Sequence, residues 1–427
     1  MKIKPTSEKA KSASKVSSRS HLGEQVPQLR FPGFNGEWNC LKLNDFAERV
    51  TRKNGSTSDI PLTISAQHGL IDQRTFFSKA VASADMSGYY LLKNGEFAYN
   101  RSSSGEFPFG SIKRLDQYKA GAVSTLYICF GLRDQSPVSD FIKWYFDSSK
   151  WHREAGLICA EGARNHGLLN VPTVGFFNTM HHIPADKNEQ EKIAAFLSLV
   201  DRRLTAQRRL VELLKKHKRG LSNDLFSGKV RMARNAKWKT YRLGDIVRRV
   251  TRKNGKVSDV PLTISAQYGL IDQREFFSKA VASADMSGYY LLKQGEFAYN
   301  RSSSGEYPFG SIKRLERYNQ GAVSTLYICF EVLGDKDDAE FLKWYFDSFA
   351  WHREVGMICA EGARNHGLLN VPTDGFFDTK HKLPTDKNER KKIATLMALA
   401  DARCEHAETE LNRLTTLKSG LLQQLFV

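Results

Sequence analysis

The sequence lacks the features that would place it in a membrane or in an oxidising compartment. None of its apolar runs reaches the roughly 20 residues that a membrane-spanning helix needs. The basic N-terminus contains no apolar core segment, so we expect no secretory signal. Cysteine is scarce, with six in 427 residues, and no C-x-x-C pair occurs. We therefore expect a cytoplasmic protein with reduced thiols.

Four of the cysteines lie in apolar sequence that is repeated between the two halves of the chain. They are Cys129, Cys159, Cys329 and Cys359. Free cysteine behaves as a small apolar residue and is among the most buried residue types. We expect these four to be buried thiols rather than metal ligands or nucleophiles.

Several catalytic signatures are also absent. No Pro-Pro pair is present, which excludes the Asn/Asp-Pro-Pro-aromatic loop of amino-methyltransferases. No G-x-G-x-x-G follows a strand-like run, and no G-x-x-x-x-G-K-[ST] occurs. His152, Glu154, Glu161 and His166 are candidates for an acid–base or metal set, but they have no recognisable ligand spacing. We expect no catalytic residue, no metal and no cofactor in this chain.

The positive charge is abundant and unevenly placed. The formal net charge is +18, and residues 201–250 hold 16 basic against 4 acidic residues. From Asp401 to the end there are 3 basic and 4 acidic residues. A solvated helix face would explain a basic run, but we favour a surface that meets a polyanion or an acidic partner.

Two long amphipathic stretches occur at an offset of 200 residues. Each opens with Asp-Lys-Asn-Glu, at Asp186 and at Asp386, where the aspartate is an expected N-cap and the glutamate completes a capping box. Apolar residues then recur at steps of four and three, which is the spacing of a helix that needs a partner helix. Gln207, Lys218 and Lys418 occupy positions in the same series. The predicted seam comprises Ile193, Leu197, Val200, Leu204, Val211, Leu214 and Leu221, and in the second stretch Ile393, Met397, Leu411, Leu414 and Leu421.

The region before each helix is also duplicated. Trp38 matches Trp238, Trp151 matches Trp351, and 69 of the 80 residues in 51–130 are identical to those in 251–330. Such a repeat indicates two copies of one globular domain. Its strand-like runs, 62–72, 89–92, 96–99 and 124–130, are separated by Gly, Asn and Ser, and Phe141–Trp151 is helical in pattern.

The expected fold class is α+β, with two similar mixed α/β domains and two long helices that form an antiparallel coiled coil with pseudo-twofold symmetry. A parallel pair would require the second domain to reach back about 60 Å, at about 1.5 Å per residue. The expected segments are a flexible basic tail at 1–26, a first domain at 27–185, a first spacer helix at 186–227, a linker and second domain at 228–385, and a second spacer helix at 386–427.

Each domain carries polar groups suited to phosphates and base edges. Thr51–Gly55 is a basic turn, Asn100–Gly105 is a loop rich in hydroxyls, and Glu161–Gly167 is a second polar loop. Arg and Asn side chains read guanine and adenine, while Lys, Ser and backbone amides hold phosphates. Such loops are often only solvated turns, but here each is repeated in both copies. The sequence therefore favours nucleic-acid recognition.

The candidate DNA-contacting residues of the first copy are Arg52, Lys53, Asn54, Asn100, Arg101, Ser102, Ser103, Ser104, Lys113, Arg114, Arg164, Asn165 and His166. Those of the second copy are Arg252, Lys253, Asn254, Asn300, Arg301, Ser302, Ser303, Ser304, Lys313, Arg314, Arg364, Asn365 and His366.

The ordered combination of these motifs resembles the specificity (S) subunit of type I restriction–modification systems. The segments that carry the resemblance are LRFPGFNGEW at Leu29–Trp38, GEFAYNRSSSGEFPFGSIKRL at Gly95–Leu115, EGARNHGLLNV at Glu161–Val171, and NEQEKIAAFLSLVD at Asn188–Asp201 followed by Gly220-Leu221. The resemblance covers essentially everything after residue 27.

The resemblance implies two target recognition domains and an antiparallel coiled coil that docks two methyltransferase subunits. Those partners would bind S-adenosylmethionine and methylate adenine in double-stranded DNA, and a separate motor-nuclease restriction subunit would cut. Because the two domains are so alike, we expect a bipartite inverted-repeat target. The alternative function is a DNA-binding or scaffold protein that acts without methyltransferase partners.

Overall fold

The computed structural model describes residues 26–65, 68–76, 83–103, 107–159, 169–232, 237–265, 268–276, 283–303, 305, 307–359 and 369–427. The tail expected at residues 1–26 lies outside these ranges except for its last residue. The chain divides into two compact units. Unit 1 comprises the residues up to Ala206 together with Leu411–Val427, and unit 2 comprises Gln207–Glu410. Each long helix therefore contributes to both units.

The first half of the chain contains ten strands and six helices within its described residues. They are β1 (Asn39–Lys42), α1 (Leu43–Phe46), β2 (Ala47–Arg49), β3 (Leu62–Ser65), β4 (Gly69–Asp72), α2 (Gln73–Phe76), β5 (Tyr90–Lys93), β6 (Phe97–Asn100), β7 (Ser111–Arg114), β8 (Ala120–Val123), β9 (Ile128–Leu132), α3 (Ser139–Asp147), α4 (His152–Ile158), α5 (Thr173–Phe177), β10 (Met180–Ile183) and α6 (Lys187–Phe226).

The second half repeats this order. Its elements are β11 (Trp238–Arg242), α7 (Leu243–Ile246), β12 (Val247–Val250), β13 (Leu262–Ser265), β14 (Gly269–Asp272), α8 (Gln273–Phe276), β15 (Tyr290–Lys293), β16 (Phe297–Asn300), β17 (Ser311–Arg314), β18 (Gln320–Val323), β19 (Ile328–Val332), α9 (Lys336–Asp347), α10 (His352–Ile358), α11 (Thr373–Asp378), β20 (Lys380–Pro384) and α12 (Lys387–Gln424).

A four-stranded antiparallel sheet is the centre of each unit, with strand order β2-β9-β6-β7 in unit 1 and β12-β19-β16-β17 in unit 2. Phe97 lies opposite Phe130, and both belong to a large aromatic core on one face. Ala98 lies opposite Cys129, and both belong to a second cluster on the other face. Because the sheet is buried on both faces, its central strands are apolar without alternation.

Smaller strand pairs surround this sheet. β3 pairs with β4 and β5 pairs with β8, while β1 and β10, from opposite ends of the domain, pair with Asn39 opposite Ile183. Unit 2 repeats the same pairs. The expected α+β fold class is confirmed, with two similar sheet-containing halves, each with its own aromatic cluster.

Helix α3 covers the sheet with one apolar face, on which Phe141, Trp144 and Tyr145 are buried. It ends at Asp147 because Ser148 is extended and its hydroxyl donates to the Tyr145 carbonyl at 2.6 Å. The helix predicted over Phe141–Trp151 is therefore too long at its C-terminal end.

A buried histidine joins the strand after α5 to helix α3. His181 Nδ1 lies 3.0 Å from the Tyr145 hydroxyl oxygen, and its Nε2 lies 2.8 Å from Thr179 Oγ1. Burial lowers the pKa of His181 to about 3, and in unit 2 the pKa of His381 to about 4. Both imidazoles are therefore neutral at neutral pH, with each ring nitrogen beside a hydroxyl.

The spacer helices α6 and α12 pack together in antiparallel direction. In unit 1 the first part of α6 meets the last part of α12, and Lys418 Nζ lies 2.5 Å from Asp201 Oδ1. In unit 2 the second part of α6 meets the first part of α12, where Lys218 pairs with Asp401. Gln207 also donates to the Ala407 carbonyl at 2.9 Å. Every residue of the predicted seam is buried or half-buried.

The lysines in the seam have a third neighbour from the domain body. Lys418 Nζ lies 4.8 Å from the ring centroid of Trp144, and Lys218 Nζ lies 5.4 Å from that of Trp344. A charge in an apolar seam is costly without a partner. Because each lysine meets its aspartate in only one alignment of the helices, these pairs specify the register.

The helix starts follow the expected capping only in part. Asp186 Oδ1 accepts the Asn188 N–H at 2.8 Å, and Asp386 accepts that of Asn388 at 2.9 Å. Glu189 is buried and instead accepts two N–H groups of Arg30, at 2.7 and 2.8 Å. The acid that the sequence assigns to a capping box is therefore the partner of a buried ion pair in unit 1.

Two of the cysteine predictions need correction. Cys129 and Cys329 are buried, but Cys159 and Cys359 are only half-buried because each follows the end of a short helix. Burial raises the pKa of Cys129 and of Cys329 to about 12, which keeps both thiols protonated. Within the described residues, no helix has the length and apolar character needed to cross a membrane.

Candidate nucleic-acid interface

The described residues at the two ends of the polar loop between β6 and β7 are held by contacts within their own hairpin. Asn100 Oδ1 accepts the Ser102 N–H at 3.1 Å. Gly110 closes the loop with φ +77°, and a Cβ there would lie 2.1 Å from the Asn100 carbonyl oxygen, so only glycine fits. Ser102 and Ser103 are exposed. The copy in unit 2 has the same contacts and leaves Ser302 and Ser303 exposed.

Arg101 braces this loop against its neighbours. Its Nη2 donates to the Leu126 carbonyl at 2.8 Å, and its Nη1 donates to the Val171 carbonyl at 3.3 Å. Its own carbonyl accepts the Leu169 N–H at 2.8 Å. The loop after β6 therefore meets the C-terminal flank of the second polar loop, Glu161–Gly167. Arg301 makes the same contacts in unit 2, so both arginines position the loops in addition to any contact with DNA.

Several candidate residues lie outside the described residues: Ser104, Arg164, Asn165 and His166, and in the second copy Ser304, Arg364, Asn365 and His366. Leu169, the first described residue after the first of these stretches, is held at the hairpin loop by its hydrogen bond to the Arg101 carbonyl.

The basic turn places two cations on the surface. Arg52 Nη2 lies 2.7 Å from Glu96 Oε2, and both side chains are partly exposed. Lys53 Nζ donates to the Gly88 carbonyl at 2.9 Å and lies 4.8 Å from the ring centroid of Tyr90. Arg252 and Lys253 repeat these contacts. The Glu96 carboxylate orients Arg52 and the Tyr90 ring orients Lys53, and both cationic groups remain accessible at the surface.

Asn54, in the same turn, has a structural role. It is buried, its Nδ2 donates to the Ser58 carbonyl at 3.0 Å, and its Oδ1 accepts the Ser58 N–H at 3.1 Å. Asn254 is buried with the same two bonds. The amides of both asparagines are therefore engaged in the turn and are not available for a base contact.

Lys113 and Arg114 fasten β7 to helix α3. Lys113 pairs with Asp147, and Arg114 pairs with Asp116 at 2.6 Å and with Asp140 at 2.7 Å. In unit 2, Lys313 pairs with Asp347, and Arg314 pairs with Glu316 and Glu340. These side chains are mostly buried, so their first function is to hold the sheet against the helix.

Arg49 is a surface cation that the sequence analysis did not select. It is exposed, and it lines a cleft of about 610 Å³ beside Arg52 and Glu96. No partner for Arg49 is found among the described residues. The available signal was Arg49 directly before Val50 and Arg52 two residues after it, which indicates a strand end with its polar residues outward. Arg249 is likewise exposed in unit 2.

His152 and Glu154, from the candidate acid–base set, make separate structural contacts. His152 packs on Trp151 with ring centroids 4.6 Å apart, and burial lowers the pKa of His152. Glu154 accepts the Met180 N–H at 3.0 Å. Glu161 and His166 lie outside the described residues, and the part of the chain that the structure describes contains no group of three metal-ligating side chains.

Comparison of the whole structure with solved structures finds the same fold in type I restriction–modification proteins. The S subunit of such a system from M. genitalium aligns with a TM-score of 0.54 at 15% sequence identity, covering 94% of this chain and 99% of that chain. A chain from a structural study of complex assembly and conformational transition of the type I system aligns with a TM-score of 0.53 at 11% identity, covering 94% of this chain and 99% of that chain.

No protein-family model and no curated protein sequence matches the chain. At these identities the likeness is one of fold. The chain has the S-subunit architecture, in which sheet-containing halves are combined with two long helices that pack together.

Proposed function

We propose that this chain is the DNA-recognition, or specificity, subunit of a type I restriction–modification complex. The observation that carries the proposal is an S-subunit fold that extends over 94% of the chain. Because a fold alone does not define a function, the proposal also depends on the duplicated polar surface. In this proposal the chain itself has no catalytic activity.

The proposed reading surface of unit 1 is built from the hairpin loop and the basic turn. Ser102 and Ser103 are exposed after the end of β6, and Lys53 and Arg52 lie on the basic turn, where Arg52 meets Glu96 before the start of the same strand. Hydroxyl, ammonium and guanidinium groups donate to phosphate oxygens and to base edges. The hydrogen bond from the Ser102 N–H to Asn100 Oδ1 restrains the backbone at Ser102, which lowers the entropy that is lost when its hydroxyl is ordered on DNA. Unit 2 has the same groups at Ser302, Ser303, Lys253 and Arg252.

We propose that the target is a bipartite inverted repeat. The two reading surfaces have the same residues, and the spacer helices are antiparallel. Equivalent surfaces that approach a duplex from opposite directions would read the same bases on opposite strands. We expect half-sites of about three to five base pairs with centres about one helical turn, or 10 base pairs, apart.

The outer faces of the spacer helices are the proposed docking sites for two methyltransferase subunits. Leu199 and Leu399 occupy matched positions, and 57% and 60% of their surfaces are exposed. Two equivalent apolar sites fit two copies of one partner. The partners would bind S-adenosylmethionine and methylate adenine, and the restriction subunits would join through the complex.

The decisive experiment is coexpression with the methyltransferase subunits followed by mapping of methylated adenines in cellular DNA. We expect the chain to copurify with two such subunits and methylation at an inverted repeat. Binding of DNA by the chain without these partners would support the alternative of a separate DNA-binding or scaffold protein. A direct repeat, or two unrelated half-sites, would contradict the proposed relation between the two reading surfaces.

Point variants separate the two proposed surfaces. Changing Ser102 and Ser103 to Ala should weaken specific binding while assembly is kept. Changing Leu199 and Leu399 to Asp should weaken assembly, and Leu157→Asp, at an exposed leucine of the domain body, is the control. Equal loss of assembly in the control would show that the helix leucines are not the docking sites.

A further inference from the structure

A tight turn between β8 and β9 carries an exposed leucine in each unit. In unit 1 this turn is residues 124–127, where the Tyr127 N–H donates to the Ser124 carbonyl at 3.1 Å and the Leu126 N–H donates to Ser124 Oγ at 3.3 Å. Leu126 exposes 57% of its surface, and the matched Leu326 of unit 2 exposes 55%. The backbone of the turn is therefore held by two hydrogen bonds, and its leucine side chain faces solvent.

Arg101 holds this turn beside the hairpin loop. Its Nε and Nη2 both donate to the Leu126 carbonyl, at 3.2 and 2.8 Å. The antiparallel register of β6 and β9, continued beyond the strand ends, places Ser102 opposite Thr125, and both of these residues are exposed. The leucine therefore lies next to the hydroxyl groups of the proposed reading surface.

Unit 2 repeats this arrangement closely. Arg301 Nε and Nη2 donate to the Leu326 carbonyl at 3.2 and 2.8 Å, and the Leu326 N–H donates to Ser324 Oγ at 3.3 Å. Single exposed apolar residues are common on protein surfaces and need no function. These two are distinguished by their place beside the hairpin loop and by an arginine that holds the carbonyl of the leucine itself. That restraint lowers the entropy lost when the side chain is ordered against a ligand.

The leucine differs in chemistry from the exposed residues around it. Ser102, Ser103 and Thr125 all end in hydroxyl groups. Serine and threonine hydroxyls contact any of the bases, so they discriminate weakly between base pairs. The base-edge group of the major groove that suits an apolar side chain is the C5 methyl group of thymine. The leucine therefore supplies a discrimination that the neighbouring hydroxyl groups lack.

We propose that Leu126 and Leu326 each contact the C5 methyl group of a thymine in the half-site read by their unit. The inference rests on the proposed DNA-recognition function. Partners that methylate adenine require an A·T pair in each half-site, and each such pair carries a thymine methyl group in the major groove. The two leucines are thus specificity-determining residues, and they contact equivalent positions of an inverted repeat.

The test uses the complex with methyltransferase subunits and duplexes that carry the mapped target. Each thymine is replaced in turn by uracil, in both half-sites together, which removes the methyl group but keeps the base pair. At one position the unmodified complex should bind about fourfold more weakly for each methyl group lost, or about fifteenfold for the two. Leu126→Ala with Leu326→Ala should bind thymine and uracil duplexes equally, and Leu126→Ala alone should keep about fourfold discrimination.

The matched control is Leu126→Met with Leu326→Met, which keeps apolar side chains of similar volume and should keep the preference for thymine. Equal binding of all uracil duplexes by the unmodified complex would overturn the contact. A preference for thymine that survives in the double Ala variant would also overturn it, because another group would then read the methyl. Loss of a methyltransferase subunit from that variant would do the same, since the leucines would then contact protein. Failure of the unmodified complex to bind the mapped target would instead contradict the proposed function.

Discussion

The two units have nearly the same sheets, but different side-chain contacts join them to the spacer helices. In unit 1, Gln190 of α6 accepts the Val138 N–H at 2.7 Å and donates to the Pro184 carbonyl at 2.7 Å. At the matched position, Arg390 of α12 donates to the Pro384 carbonyl at 2.9 Å and forms an ion pair with Asp338. The amide of Gln190 in unit 1 and the guanidinium of Arg390 in unit 2 therefore make the matched contact between the start of the spacer helix and its domain.

This difference shows which part of the junction is constrained. Both residues donate to the carbonyl of the matched proline, whereas the second partner changes from a backbone N–H to a carboxylate. That carboxylate belongs to Asp338, where unit 1 has Val138, and it lies in the first turn of α9, which starts three residues earlier than its counterpart α3. The hydrogen bond to the proline carbonyl at the end of the strand is the same in both units, whereas the second contact differs.

The largest expected effect concerns the Arg30–Glu189 ion pair of unit 1, since the residue that matches Arg30 in the second half is Val230. Arg30→Ala would leave the Glu189 carboxylate buried without its two N–H donors, and the hydrogen bonds that Arg30 donates to Glu189 raise the pKa of Arg30. We expect a loss of about 3 kcal/mol in the free energy of unfolding, measured in urea. The matched control Val230→Ala, at a residue that is 41% exposed, should change it by less than about 0.5 kcal/mol. A loss below about 1 kcal/mol for Arg30→Ala would show that Glu189 is satisfied in another way.

Acid should destabilise both units through their buried histidines. Unfolded histidine titrates near pH 6.5, about 3 units above the folded pKa of His181. Below pH 6.5 the unfolded chain binds more protons, so stability is complete above that pH and falls by about 1.4 kcal/mol per pH unit for each such histidine. We expect about 2 kcal/mol per histidine to be lost between pH 6.5 and pH 5.

The matched variants His181→Asn and His381→Asn should each reduce this pH slope in urea unfolding experiments. His152 and His352, whose pKa values are also lowered by burial, would account for the remaining slope. An unchanged slope in both Asn variants would show that water reaches the imidazoles in the folded state.

A smaller difference lies in the tryptophans that face the spacer helices. Trp144 Nε1 donates to Ser198 Oγ at 3.1 Å, but Trp344 Nε1 is buried and has no partner among the described residues. The position that matches Ser198 is Ala398. Ser198→Ala should cost about 1 kcal/mol, and Ala398→Ser should stabilise unit 2 by about the same amount. Calorimetry on both variants tests this, and destabilisation by Ala398→Ser would mean that the hydroxyl cannot reach the indole.

The smallest effect is expected for the seam lysines. Lys418→Met and Lys218→Met each remove a partly exposed ion pair and a cation–ring contact, which together contribute less than about 1 kcal/mol. The two variants should behave alike, and 1 M salt should reduce the difference from the unmodified chain. A much larger loss in one unit would show that the pair has a stabilising role there beyond setting the register.

The helices and the duplication were predictable because their signals are local. A heptad spacing needs only neighbouring turns of one helix, and a repeat needs only the sequence itself. The pairing of β1 with β10 was not predictable, since the strands read NCLK and MHHI and show no shared pattern. Similarly, the strand predicted over 124–130 is observed at Ile128–Leu132, because Tyr127 N–H donates to the Ser124 carbonyl and makes a turn there.

The sequence identifies polar loops as candidates, but it does not give the state of each side chain in them. Lys113 and Asp147 are 34 residues apart, and only the fold brings them together. Asn54 has the composition of a base-reading residue, but its amide closes a buried turn. Sequence shows which donors a loop contains, whereas the acceptors that engage them come from distant elements.

The sharing of the spacer helices also sets an order for biosynthesis. The core of unit 1 contains Leu425 and Phe426, whereas unit 2 is one continuous segment, Gln207–Glu410. A ribosome therefore completes every residue of unit 2 before unit 1 can close its own core. The first domain to emerge would be the last to finish folding, and removal of Leu425 and Phe426, which directly follow α12, would damage the unit that was synthesised first.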